Sequence, residues 1–395
     1  MDSGISDAVY QDQILPHVSR SFALTIPQLP AALRIAVTNA YLLCRIADTI
    51  EDEPALSPPE TLAFLQRFMS VLDGRSDSRT LSLELAERLS DRTLATEREL
   101  VSNMQRVINV TASLSVAQRT AIHRCVGLMC YGMPRFQSTA SLRGLPRLSD
   151  LDDYCYYVAG VVGDMLTDLF CEYSPAIARR RTGLQSVAVS FAQGLQMTNI
   201  LKDVWEDRSR GACWLPQEVF SRHGVDLARL VPAPHDPGFA AGMVELVAVA
   251  HAHLRNALEY TLLIPAEEGG IRRFCLWAIG LAVLTLQKIN RNPRFTTGAQ
   301  VKVSRKAVAL TRISTGLALR NDWMLRRLFA RAAHGLPLAR IGETRRPYPA
   351  HVLEPVPMIE PAHMAEAARA LDGQPSGVDG AIERAQRRSY GGSAT

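Results

Sequence analysis

The chain has 395 residues, 47% of them hydrophobic and only 6% aromatic, with a formal net charge of +5. That is enough apolar material for a substantial core, as one large domain or two, while the basic excess is too diffuse to point to nucleic acid. Leu, Ala and Arg dominate, which favours helix over sheet, and an all-α fold is expected. The seven cysteines show no Cys-x-x-Cys spacing and are odd in number, which suits reduced core thiols in a cytoplasmic protein.

In chain order, Met1 to Gln13 are polar and acidic, without the basic and apolar regions of a signal peptide. Pro27 and Pro30 precede a helix expected from about 31 to 50, and Pro54, Pro58 and Pro59 stop it. Helical periodicity then predicts segments near 60–72, 80–89, 94–111, 116–131, 150–172, 183–207, 240–262, 271–290 and 304–333. No alternating run is long enough to argue for a sheet. The longest apolar run, Phe274 to Leu286, is shorter than the ~20 residues a spanning helix needs. It reads as a buried helix, in a protein that is soluble or peripherally membrane-associated. From Arg312 to Arg346 eight arginines stand against Asp322 and Glu343, a pattern read first as a solvated helix face and second as a surface for an acidic membrane. Residues 1–342 are expected to form the helical domain. The Pro-, Ala- and Gly-rich 343–395 is expected to be a disordered tail, with one short helix around 361–371.

Two acidic clusters carry the chemistry. Asp48-Thr49-Ile50-Glu51-Asp52 and Asp203-Val204-Trp205-Glu206-Asp207 lie about 150 residues apart, each within an apolar helical pattern. Positions i, i+3 and i+4 share a helix face, so each cluster projects three carboxylates from one patch. Like charges at that spacing weaken a helix unless a cation compensates. The same faces carry Arg45 and Tyr41 before the first cluster, and Asn199 and Gln196 before the second. Two such patches facing each other suit Mg²⁺ ions and a diphosphate. A pair of solvated helix ends is the alternative, and the ordered polar faces argue against it.

Between the clusters runs Tyr154-Cys155-Tyr156-Tyr157-Val158-Ala159-Gly160-Val161-Val162-Gly163. Each helical glycine costs about 1 kcal/mol relative to Ala, so Gly160 and Gly163 mark a close approach, of a second helix or of a ligand. Val158, Val162 and Leu166 form an apolar stripe that suits a channel wall or the core.

These residues carry a resemblance to the squalene/phytoene synthase family, which condenses two isoprenoid diphosphates head to head within an all-helical fold around a central cavity. It rests on Ser19-Arg20-Ser21-Phe22, Tyr41-x-x-x-Arg45-x-x-Asp48, the Tyr154–Gly163 segment, Gln196-x-x-Asn199-x-x-x-Asp203 and a basic segment ending near Lys306, about three quarters of the chain. The first motif, Trp214-Leu215-Pro216-Gln217-Glu218 and Gly298–Lys306 bring the chain nearest to the squalene synthase branch. Ser304 departs from the basic-x-basic pattern of eukaryotic members, with Arg305 following it. Asp207-Arg208-Ser209-Arg210-Gly211 leans toward phytoene synthases.

The resemblance implies two farnesyl diphosphates as substrate, Mg²⁺ held by Asp48, Glu51, Asp52, Asp203, Glu206 and Asp207, and NADPH for a reductive second step. The sequence offers no Gly-x-Gly-x-x-Gly turn for that cofactor. Ser19, Arg20, Ser21, Arg45, Lys202, Lys302 and Arg305 are the implied contacts to diphosphate or NADPH. Phe22, Tyr41, Val158, Val162, Gly163, Leu166, Gln196 and Asn199 are the implied substrate contacts. Asp48, Asp52, Asp203, Asp207 and Tyr154 are the implied catalytic groups, Tyr154 as proton relay or cation stabiliser, since a phenol is a poor base at neutral pH. Alternatives are a phytoene, dehydrosqualene or presqualene diphosphate synthase, and a silent lipid-binding homologue, which intact carboxylates oppose. A ferritin-like metal protein needs paired Glu-x-x-His motifs, and only Glu360 to His363 matches. No protein partner is implied.

Overall fold

Prolines and side-chain caps set where this chain turns. A computed structural model describes residues 5–19, 22–232 and 236–342, all within a compact unit spanning Met1–Glu354. Arg20, Ser21 and the expected tail at 343–395 lie outside the described residues.

Helix α1 (Asp7–Val18) is opened by Ser6, whose hydroxyl accepts the Val9 amide. A single turn, α2 (Phe22–Thr25), leads to α3 (Ala31–Glu51), which starts at Pro30. Then come α4 (Pro58–Leu72), α5 (Ser78–Arg88), α6 (Ala95–Ser102), α7 (Met104–Ser113) and α8 (Val116–Gln137). Asp77 caps α5 by accepting the Thr80 amide, and Ser115 and Gln118 cap α8 reciprocally. Next, α9 (Leu148–Cys155) passes through a π-helical turn, Tyr156–Gly160, into α10 (Val161–Tyr173). The short α11 (Pro175–Ala178) precedes the 29-residue α12 (Arg181–Ser209). Finally α13 (Gln217–Ser221), α14 (Pro237–Leu263), α15 (Gly269–Arg291), α16 (Arg305–Ala318) and α17 (Asp322–Ala332) complete the order. Among the described residues the nearest thing to a sheet is one isolated bridge, Leu145 to Pro216.

The all-α expectation holds, and the main differences concern four segments. Helix α1 has no counterpart among the expected segments, although it buries Tyr10, Ile14, Leu15 and Val18 and packs on α3 and α7. The segment expected at 94–111 is two helices divided at Asn103, whose backbone leaves the helical region. The one expected at 304–333 divides before Asn321, whose side chain accepts the Met324 amide and starts α17. The one expected at 150–172 contains the π turn.

Helix α12 is the axis of the bundle, packed on α14, α10 and α15. Among the described residues two helices, α14 and α15, are long and apolar enough to cross a membrane, but 72% and 61% of their apolar windows are buried inside the fold. They are core helices, as the Phe274–Leu286 run suggests. All seven cysteines are unpaired and buried. Arg272, at 2% exposure, closes the far end of the bundle: it donates to the carbonyls of Ile264 and Leu319 and pairs with Asp322 at 2.7 Å.

Candidate active site

The last turn of α3 carries Asp48 and Glu51, with Asp52 as its C-cap residue, and the last turns of α12 carry Asp203, Glu206 and Asp207. Between them stand α8, which packs on α3, and the π turn, which packs on both α8 and α12. The six carboxylates line one cavity of about 870 Å³, together with Arg45, Tyr154, Val158, Gln196 and Asn199.

Burial makes this an electrostatically loaded place. It pushes the Asp48 carboxyl up to about 6, despite the opposing pull of Arg45, and Asp52 and Glu97 add to the rise. Asp207 rises to about 7 by burial and then by repulsion from Asp203. Burial lifts Glu51 well above the carboxylate range, and Asp52 is raised with it although its side chain is exposed to solvent. Carboxylates in this condition hold protons where a cation would serve instead. Arg45 is one compensating charge, 3.9 Å from Asp48 and 3.7 Å from Glu97. It donates to the Tyr41 hydroxyl at 3.1 Å, which itself donates to the Val18 carbonyl. Tyr41 therefore orients Arg45 and packs its ring on Phe22 at 5.3 Å. Lys202 pairs with Asp203 at 2.8 Å.

Oxygen donors of this kind fit Mg²⁺. Among the described residues no three metal-ligating side chains converge on one point. Two polar atoms around the cavity, Arg45 Nε and Gln137 Oε1, are buried without a protein partner.

Tyr154 sits under the carboxylates. Trp214 stacks on its ring at 4.2 Å and 9°, and Phe136 meets it edge-on at 5.4 Å. Burial, followed by the charges of Glu51 and Asp52, raises its phenol well above the usual value. Tyr154 is thus a neutral hydrogen-bond group at physiological pH.

Several implied contacts lie elsewhere. Of the stripe, only Val158 lines the cavity. Val162 is half-buried and Leu166 belongs to the core, because the π turn adds a residue to one turn and rotates α10 off the cavity face. At Gly163 a Cβ would stand 2.2 Å from the Ala188 carbonyl oxygen, and at Gly160 2.8 Å from Val189. Close packing on α12 accounts for both glycines. The Ser19 hydroxyl accepts the Phe22 amide at 3.0 Å, a local cap. Lys302 and Arg305 are exposed and outside the cavity lining. Their segment is nevertheless moored beside the second cluster: Trp205 Nε1 donates to the Phe295 carbonyl at 2.7 Å, and a Gly298 Cβ would meet the Lys202 carbonyl oxygen at 3.3 Å.

The cavity also contains residues that sequence reasoning missed or read otherwise. Arg92, Thr93 and Glu97 come from the α5–α6 connection and the start of α6, Gln137 from the end of α8, and Arg210 and Trp214 from the loop after α12. Glu53, next to the first cluster, is structural: burial would raise it, but hydrogen bonds from Thr93, Ser90 and the Ala55 amide outweigh that and hold it low.

The chain is 29% identical over 316 residues to squalene synthase of Schizosaccharomyces pombe, spanning 78% of this chain and 65% of that relative, so less than two thirds of the relative's length. It is 29% identical over 370 residues to squalene synthase BSS of Botryococcus braunii, spanning 91% and 75%. Among solved structures, a ligand complex of TcSQS superposes with a TM-score of 0.68 at 25% identity, covering 93% of this chain and 99% of that one. A dehydrosqualene synthase complex shares the fold, with a TM-score of 0.57 at 22% identity over 80% of this chain and 96% of that one. With residues 15–307 matching the family described as squalene/phytoene synthase, this chain, with its two facing carboxylate helices, belongs to that family.

Proposed function

We propose that this protein is a prenyltransferase of the squalene synthase type, which joins two farnesyl diphosphates head to head to presqualene diphosphate and reduces that to squalene. The observation that carries the reading is the convergence of both carboxylate clusters, Arg45 and Tyr154 on one cavity. The relatives that carry the name squalene synthase support it.

Bound Mg²⁺ supplies charge neutralisation for the departing diphosphate. Asp48, Asp52, Asp203 and Asp207, with Glu51 and Glu206 beside them, would hold it. Arg45, with its planar fork, and Lys202 bind phosphate oxygens as the charge departs. The allylic cation left behind needs a dry wall of apolar and π groups, and Val158, Tyr154 and the stacked Trp214 provide one. Tyr154 keeps its own proton at neutral pH, so it conducts the proton lost on cyclopropane closure toward the departing diphosphate rather than acting as the terminal base. NADPH supplies the hydride of the second step. Arg92 and Arg210 at the cavity are suited to its phosphates, while Lys302 and Arg305 would reach it only by movement of their segment. The unpaired thiols suit a cytoplasmic location.

Incubating purified protein with farnesyl diphosphate and Mg²⁺, with and without NADPH, and identifying products by mass tests the reading. Squalene formed only with NADPH supports it. The outward position of Lys302 and Arg305 favours a second reading, release before reduction, and presqualene diphosphate or dehydrosqualene in both reactions would select it. Absence of any C30 product would overturn both.

A further inference from the structure

Helix α16 turns small side chains inward and its large apolar ones outward. The side that meets α15 is small and hydroxylic: Thr311 Cγ2 lies 2.4 Å from where a Gly280 Cβ would stand. The hydroxyls there are satisfied within the helix, Thr311 donating to the Ala307 carbonyl at 2.9 Å and Thr315 to the Thr311 carbonyl at 2.7 Å. The large apolar side chains point the other way, with Leu310 67%, Ile313 61% and Leu317 80% exposed. Their spacing places them along one helix face, and α17 continues the surface with Trp323 at 64% and Met324 at 40% exposure. Scattered exposed hydrophobics are ordinary, but three large apolar side chains at i, i+3 and i+7 on the outer face of one helix are not.

Along α16 and α17 themselves basic side chains far outnumber acidic ones, although Glu259, Glu267 and Glu268 of the neighbouring elements stand close by. From Arg305 to Ala332 there are seven Lys and Arg against a single acid, Asp322, and Asp322 is engaged by Arg272. Arg326 is held by Glu259. Arg312 lies over the Trp277 ring at 4.5 Å and Arg327 over the exposed Trp323 ring at 4.7 Å. A second copy of this chain presenting the same face would bring like charges together. Residues 343–395 carry acidic and basic side chains in similar numbers, so they offer no charge complement. An anionic lipid surface complements both features at once: apolar side chains enter the headgroup–acyl boundary and basic ones meet the phosphates.

We infer that the α16–α17 pair is a docking surface for an anionic bilayer, through Leu310, Ile313, Leu317 and Trp323 with their basic surround. On this inference the second, membrane reading of the arginine-rich stretch applies to α16 and α17.

The test uses the full chain in vesicle sedimentation, with phosphatidylcholine alone and with phosphatidylcholine containing phosphatidylglycerol. Binding should require the anionic lipid and weaken with salt. The Ile313→Ser, Leu317→Ser double variant changes only exposed side chains, so it should keep the wild-type melting temperature while its partitioning falls by about tenfold or more. Arg320→Gln with Arg327→Gln should reduce the salt-sensitive part. Equal partitioning of wild type and the serine variant, or no binding to anionic vesicles, would overturn the proposal. So would a dimer in vesicle-free solution that dissociates in the serine variant, since the face would then be an interface between copies.

Discussion

Replacing Asp207 by Asn should make the Mg²⁺-free protein more stable while damaging its response to Mg²⁺. The Asp207 carboxyl is raised from 3.8 to about 7, first by burial and then by Asp203. Between those values the folded protein keeps a proton that the unfolded chain has released. The stability associated with that proton is fully present below the unfolded value and is lost as pH rises through about 7. At pH 8 both states are ionised and the folded state bears the whole cost. Taken at face value the difference is about 4 kcal/mol; because the group borders an open cavity, solvent screening reduces it to about 2 kcal/mol. For a domain of this size that is a rise in melting temperature of roughly 3–5 °C for the Asn variant. Melting curves in chelator at pH 8 and near pH 4 should show the gain at the higher pH and none at the lower. Adding Mg²⁺ should raise the wild type well above its chelated value and the variant much less, with turnover of farnesyl diphosphate falling in parallel. A variant no more stable than wild type at pH 8, or equally stabilised at both pH values, would refute the reasoning.

The stabilisation by Mg²⁺ should itself grow between pH 5.5 and pH 8, because Asp48 and Asp207 release protons near 6 and 7 and each proton competes with the cation; melting curves across that range check it. Trp214→Leu removes the ring stacked on Tyr154 and should cost about 1 kcal/mol in denaturant titrations, the value of one aromatic pair, with kcat falling as Tyr154 loses its fixed position. Gly163→Ala forces a Cβ against the Ala188 carbonyl and should cost about 1–3 kcal/mol in denaturant titrations, the usual penalty of overpacking. Arg272→Met strands the Ile264 and Leu319 carbonyls and frees Asp322, at about 3 kcal/mol. Hydrogen exchange should then rise first in α16 and α17.

The acidic clusters were legible because each is a local pattern: a carboxylate triplet on an apolar helix announces its face whatever the fold around it. That the two patches confront each other across one cavity follows from reading them as cation and diphosphate ligands, since their like charges alone would keep them apart. The rest of the site was illegible for a physical reason. Arg92, Thr93, Glu97 and Gln137 carry no spacing that relates them to Asp48, and only the packing of α3, α6 and α8 brings them to the cavity. Trp214 was visible as part of a motif, but its role depends on a chain reversal after α12 that returns it to Tyr154. Periodicity also assumes one uniform helix. The Val158–Val162–Leu166 stripe is correctly spaced for an α-helix, and it fails because one turn is not α. Helix α1 gives little sequence signal because its apolar side chains are diluted by polar ones until tertiary packing chooses between them.

The π turn at Tyr156–Gly160 therefore works as a phase register between two halves of one long rod. Each residue of an α-helix turns the chain by about 100°, so deleting a single residue there would leave Tyr154 in place and rotate everything from Val161 onward by roughly that amount. Gly163 would swing away from Ala188, a bulkier neighbour would meet the α12 backbone, and α12 would be pushed off with the second carboxylate cluster on its far end. A lineage carrying this extra residue is committed to it: point substitutions can tune either half, but the shortest genetic step back to a regular helix dismantles the seam on which both halves depend.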